Sequence, residues 1–194
     1  MDITEKMSSA VEHAPTGTCV CWGMPFEIRD VVALKDQAVT VELNPTQAQW
    51  LVFMHTSDRR PAEPGPGGVI SPMRGAGQLA EHAADYVVLY ADGAEERLSI
   101  RRRHQLGTFQ RRWGENCFEA VAHSKPRPRR AAHEQLSKDW GSTQARVDVA
   151  GSGPWMNWLW AWQNPHPEKT IVGVRLEPVS GTIVLSAISA GSVS

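Results

Sequence analysis

The sequence predicts an all-β chain: an antiparallel β-sandwich of the jelly-roll type, with one or two short helices in its loops. Three observations predict it. Apolar and polar residues alternate with period two along much of the chain. The apolar runs are carried by Val, Ile, Leu, Trp and Tyr, the residues that suit half-buried strands. Turn residues separate the runs, whereas helical periodicity is short and interrupted. A length of 194 residues is enough for one domain with a real core. That domain is expected over 19–190, with an N-terminal arm at 1–18 and a polar tail at 191–194.

The elements follow in order. VTVEL, 39–43, alternates strictly, and QWLVFMH, 49–55, is an apolar run closed by the polar TSDRR. DYVVLYA, 85–91, and EERLSI, 95–100, flank Asp92-Gly93, a pair that supplies the positive φ a hairpin turn needs. Shorter strands are expected at 106–111 and 117–122, and three more at 156–163, 170–177 and 182–189. The short helices are expected at RGAGQLAEHAA, 74–84, and RAAHEQLSK, 130–138. A long loop spans 59–84; its stretch 61–77 holds four prolines and five glycines, too long for a routine connection. SKPRPRRAAHE, 124–134, forms a basic loop.

Twenty basic and 21 acidic residues leave a formal charge of −1, which argues against a general nucleic-acid binder. No stretch approaches the roughly 20 apolar residues of a membrane span. The opening MDITEKMSSAVEHAPTG does not read as a secretory signal. Cys19, Cys21 and Cys117 cannot complete a disulfide framework and read as reduced thiols, which favours a cytoplasmic setting. On a strand, Cys19 and Cys21 share a face. A four-ligand metal site would need a second such pair.

The most informative stretch is WMNWLWAWQNPHPEKTIVGVRL, which begins at Trp155. Strand alternation puts Met156, Trp158, Trp160 and Trp162 on one face and Asn157, Leu159, Ala161 and Gln163 on the other. Two assignments are open. The tryptophans face outward as a platform on which sugar rings stack, with Asn157, Gln163, Asn164 and His166 to read hydroxyls. Or they face inward and fill the space between sheets. Trp162 precedes the rigid Asn164-Pro165-His166-Pro167 turn and reads as structural. Trp155, on the opposite parity and after the flexible GSGP, is expected on a loop at the rim.

Other groups carry weaker signals. His55, Ser57 and Asp58 end a strand, where a histidine beside a carboxylate suits acid–base chemistry or a metal. Arg101 and Arg103, in the run RRRH, suit the carboxylate of an acidic sugar; the bland alternative is an edge strand protected by charge. Asp85, Asp92 and Glu95 could supply calcium oxygens, although no ordered ligand loop is visible. No nucleophile elbow, phosphate loop or paired metal motif is present.

Four segments, GMPFEI at 23–28, LVFMHTSD at 51–58, DYVVLYADG at 85–93 and WQNPHPEKTIVGVRLEP at 162–178, the last followed by a strand ending AIS, occur in an order that resembles the galactose-binding-like jelly-roll modules attached to bacterial carbohydrate-active enzymes. The resemblance implies an accessory or carbohydrate-binding role, a structural calcium in some members, a secreted or periplasmic setting and no catalytic residue. The long loop and the basic loop depart from that compact pattern. The expectation is therefore a non-catalytic carbohydrate-binding module. Its ligand residues would be Trp155, Trp158, Trp160, Asn157, His55, Arg101 and Arg103. Its partner would be a carbohydrate, with a catalytic domain or second subunit as a further one, and neither nucleic acid nor membrane. A docking module and a small sugar-acting enzyme using His55 and the arginines are the alternatives.

Overall fold

The computed structural model describes residues 5–8, 10–59, 79–110, 116–124 and 155–192. It is all-β, and its strands pair antiparallel throughout. Strands β1 (Gly17–Cys21) and β2 (Met24–Ile28) form a hairpin. They are followed by β3 (Val32–Leu34), β4 (Val39–Thr46), β5 (Trp50–Ser57), β6 (His82–Tyr90), β7 (Glu95–Arg101), β8 (Val121–Ala122), β9 (Trp158–Gln163), β10 (Ile171–Pro178) and β11 (Ile183–Gly191). A four-stranded sheet runs β4-β10-β6-β7 and a five-stranded sheet β3-β11-β5-β9-β8.

The core lies between these two sheets. Leu51 and Phe53 of β5 and Trp158 and Trp160 of β9 meet Tyr86, Val88, Leu98, Ile100, Val174 and Leu176 from the four-stranded sheet. Period-two alternation produces this face. The other face of the five-stranded sheet is also covered. Val52, Met54 and Leu159 pack under Cys21, Phe26 and Ile28 of the β1–β2 hairpin, a third layer. The outer face of the four-stranded sheet carries ion pairs instead: Arg97 with Asp85 and Glu177, and Arg175 with Glu95 and Glu177.

Several expectations change. His82–Ala84 begin β6, so the helix expected at 74–84 does not form at its C-terminal end, and the long loop stops short of 84. Ala83 and Ala84 are good helix formers by propensity, but their small side chains are buried in the sandwich, and tertiary packing overrides the preference. The helix expected at 130–138 and most of the basic loop lie outside the described residues. The 106–111 strand is replaced by isolated bridges, Arg102 to Leu106 and Ser57 to Thr108. The 117–122 strand shrinks to β8. Helix occurs instead in the N-terminal arm, as α1 (Glu5–Ser8) and a 3-10 turn at Val11–His13. The β6–β7 turn carries its positive φ on Gly93 alone, at 84°.

A candidate site where the β7 and β8 edges meet

The tryptophan row keeps its predicted parity and takes the inward assignment. Trp158 and Trp160 are buried in the core, 2% and 8% exposed. The Trp158 indole donates to the Thr108 carbonyl at 2.9 Å, and Trp160 stacks on Phe53 with ring centroids 5.6 Å apart. The expected platform at Trp158 and Trp160 therefore has no exposed ring to offer a sugar. Trp155 is also buried, at 3%. The N-terminal arm covers it: Met7 and Ala10 pack with Trp155, Phe109 and Val184. Asn157, expected to read hydroxyls, is buried too, and its side-chain oxygen accepts from Trp155 Nε1 at 3.0 Å.

His55 is fully buried rather than lining a surface. Its Nε2 lies 2.8 Å from the Gln105 carbonyl, which can only accept, so Nε2 carries the proton. Nδ1, 2.9 Å from Tyr86 Oη, then accepts from that hydroxyl. Burial holds the imidazole down at about 4, only partly offset by the bond to Gln105, so it is neutral at pH 7. Burial likewise pushes the Tyr86 hydroxyl up. With both nitrogens engaged inside the core, His55 cannot serve an enzyme reaction as placed. Its effect is to fix Gln105 from below.

The arginine run divides by position. Arg102 is buried, 1% exposed. Its Nη2 donates to Asp58 Oδ1 at 2.8 Å and to the Ser180 carbonyl at 3.0 Å, and its Nη1 to Ser57 Oγ and the Asp58 carbonyl. Glu81 lies 3.3 Å from its Nε. Ser57 and Asp58, read as part of a catalytic or metal group, thus belong to a structural ion pair. Arg101 is exposed and donates from Nη1 to the Ala80 carbonyl at 3.3 Å, leaving most of its fork toward solvent. Arg103, half-buried with φ 61°, turns the chain, its amide bonded to the Leu106 carbonyl.

That turn builds a surface feature. The Phe118 amide donates to the Arg103 carbonyl at 2.9 Å, and the Glu119 and Ala120 amides both reach the His104 carbonyl at 3.1 Å. Gln105 Nε2 donates to Glu119 Oε2 at 2.9 Å, while Gln105 Oε1 accepts from the Arg101 amide at 2.9 Å. His104 Nδ1 lies 3.5 Å from Glu119 Oε1. The Phe118 ring, 72% exposed, leans on the His104 ring with centroids 5.1 Å apart. A largely exposed aromatic ring, against an imidazole and near a hydrogen-bonded amide–carboxylate pair, therefore sits where the β7 and β8 edges approach. Of the predicted residues, Arg101 and Arg103 take part in the turn through their backbone, the Arg101 amide donating to Gln105 Oε1 and the Arg103 carbonyl accepting from the Phe118 amide. Phe118, Gln105 and Glu119 were not singled out, and a lone phenylalanine in a polar stretch gives no periodic signal.

Trp22 is the other exposed large aromatic among the described residues. It occupies the β1–β2 turn with φ 56°, and its indole donates to the Ala122 carbonyl on β8 at 2.7 Å. Val20 and Val121 are exposed as well.

The carboxylates considered for calcium are engaged with basic groups: Asp85 with His82 and Arg97, Asp92 with Lys169, and Glu95 with Arg175. Among the described residues, no group of three or more His, Cys, Asp or Glu is placed to hold a metal. Nor is any described helix long and apolar enough to cross a membrane.

No protein-family profile and no curated protein matches the chain in sequence. Among solved structures, one described as AlgX of Pseudomonas aeruginosa is similar over 89% of this chain, at 14% identity and a TM-score of 0.38. This chain spans 28% of that protein's length. A likeness at that level carries nothing about function or site.

Proposed function

We propose that this chain is a non-catalytic β-sandwich module that binds carbohydrate, and that it does so at the β7–β8 edge rather than on the tryptophan row. The observation that carries the reading is the Phe118 ring. It is the most exposed large apolar side chain described, and its neighbours His104, Gln105 and Glu119 are held by a hydrogen-bonded turn. The apolar C–H face of a sugar stacks on such a ring, and pre-ordered polar groups beside it read the hydroxyls. The open guanidinium of Arg101 favours a glycan bearing carboxylates, since its fork matches that group in pairs of hydrogen bonds. Calorimetric titration of uronate-containing and neutral oligosaccharides tests it. Wild type should bind the acidic panel, Phe118→Ala should lose that binding without loss of fold, and Arg101→Gln should lose the preference for acidic over neutral sugars. Equal binding by wild type and Phe118→Ala refutes the reading.

The exposed Val20 and Trp22 of the β1–β2 hairpin, tied through the Trp22 indole to β8 with its exposed Val121, favour a second reading, a module that docks on a catalytic domain or second subunit. Concentration-dependent sedimentation abolished by Trp22→Ser would support it for self-association.

A further inference from the structure

Four sulfur-bearing side chains converge away from the candidate glycan site. Cys19 and Cys21 lie two apart on β1, so their side chains share a face. Their sulfurs are 4.0 Å apart. Met24 pairs directly with Cys21 across the hairpin, which puts the two on one face with Cβ atoms about 5 Å apart. Met54 of β5 belongs to the same cluster, fully buried beneath the hairpin, with Phe26, Ile28, Val52 and Leu159 as its apolar walls. Cys19 is half-buried, so solvent reaches the cluster from that side.

The sulfur separation discriminates between the uses of such a pair. A disulfide needs sulfurs about 2.04 Å apart and Cα atoms usually within about 6.8 Å, and closing one between residues two apart on a regular strand bends the strand. Metal–sulfur bonds of about 2.3 Å put two sulfurs about 3.8 Å apart at a tetrahedral angle and about 4.6 Å apart when linear. The observed 4.0 Å lies in that range without rearrangement.

We propose that Cys19 and Cys21, with Met24 as a third ligand, form a site for a soft monovalent ion of the Cu(I) class. Thiolates bind both Cu(I) and zinc, but two thiolates and a thioether fall short of the four ligands zinc usually takes and suit Cu(I), whereas calcium takes oxygen ligands. Binding exchanges the two thiol protons for the ion and releases them to solvent.

The test is competition for Cu(I) between the full chain and a chromophoric Cu(I) chelator under reducing, oxygen-free conditions, with X-ray absorption on the loaded protein. Wild type should retain one equivalent in an all-sulfur shell. Cys19→Ser, at the half-exposed position that a fold tolerates best, should weaken binding by more than about 100-fold, beyond the loss expected from removing a supporting group. Met24→Leu, which keeps the apolar volume, should weaken it by about tenfold, and Cys117→Ser should leave it unchanged. No retained copper, nitrogen or oxygen in the shell, dependence on Cys117 instead of Cys19, or a Cys19–Cys21 disulfide forming in place of metal binding would each overturn the proposal.

Discussion

Adding one methyl group at Gly107 probes the inward packing of the tryptophan row. A Cβ there would lie 2.1 Å from Trp158 Cε2, 2.4 Å from Nε1 and 2.6 Å from Cδ2. Ordinary carbon contacts are about 3.5–4.0 Å, so more than an ångström of movement is required. Neither side can supply it easily. The Trp158 indole is buried and tied to the Thr108 carbonyl, and the Gly107 carbonyl accepts from the Ser57 amide at 2.9 Å and Ser57 Oγ at 3.1 Å. Overpacking costs about 1–3 kcal/mol, and displacing the indole hydrogen bond adds about 1 kcal/mol. Gly107→Ala is thus expected to cost about 3 kcal/mol. Trp158→Phe removes Nε1 and the fused second ring, which relieves part of the clash, and costs about 2–3 kcal/mol through the cavity and the lost bond. The double variant should then cost about 1–2 kcal/mol less than the sum, as expected for residues in contact. Urea unfolding followed by far-UV circular dichroism, with an unchanged m-value, measures all three. Additivity within about 0.5 kcal/mol would refute the packing argument.

Two further outcomes follow from the buried polar groups. The folded state holds His55 at about 4, below the usual 6.5, so the unfolded chain binds more protons between those values. Stability from this group is complete above about pH 6.5 and is lost as pH falls toward 4, by about 3 kcal/mol at most. His55→Gln should flatten that difference in urea midpoints between pH 7 and pH 4.5, and an unchanged slope contradicts the assignment. Replacing Arg102 by Met strands the Asp58 carboxylate in the interior and should cost about 3–5 kcal/mol. A thermal melt of Arg102→Met within a degree of wild type would show that the pair is not buried as described.

How much of this was legible in the sequence depends on what alternation can encode. It placed β4, β5, β6, β7, β9, β10 and β11 close to their observed spans, and it sorted Trp158 and Trp160 from Leu159 correctly. It could not say which side was inside. Both faces of β5 and β9 are covered, one by the opposing sheet and one by the β1–β2 hairpin, so Val52, Met54 and Leu159 look as internal as Phe53 and Trp160. The hairpin itself was hidden because its turn is Trp22-Gly23, not an Asn-Gly or Asp-Gly pair. Trp155 was expected at the rim because nothing in the arm's polar sequence announces that Met7 and Ala10 fold back over it. Arg102 reads as one of three surface arginines, since charge alone does not reveal Asp58 and Ser57, more than forty positions away, closing around it. Phe118 gains its meaning only from the Arg103–Gln105 turn that holds its neighbours.

On the proposed reading, a glycan meets the β7–β8 edge and leaves the tryptophan row untouched. Proton–nitrogen correlation spectra of the full chain, recorded through a titration with a uronate oligosaccharide, test it most directly. Saturable shifts are expected at the amides of 101–105 and 117–120, with the indole signals of Trp155, Trp158 and Trp160 unmoved. Shifts centred on those three indoles, with Phe118 and Arg103 silent, would contradict it.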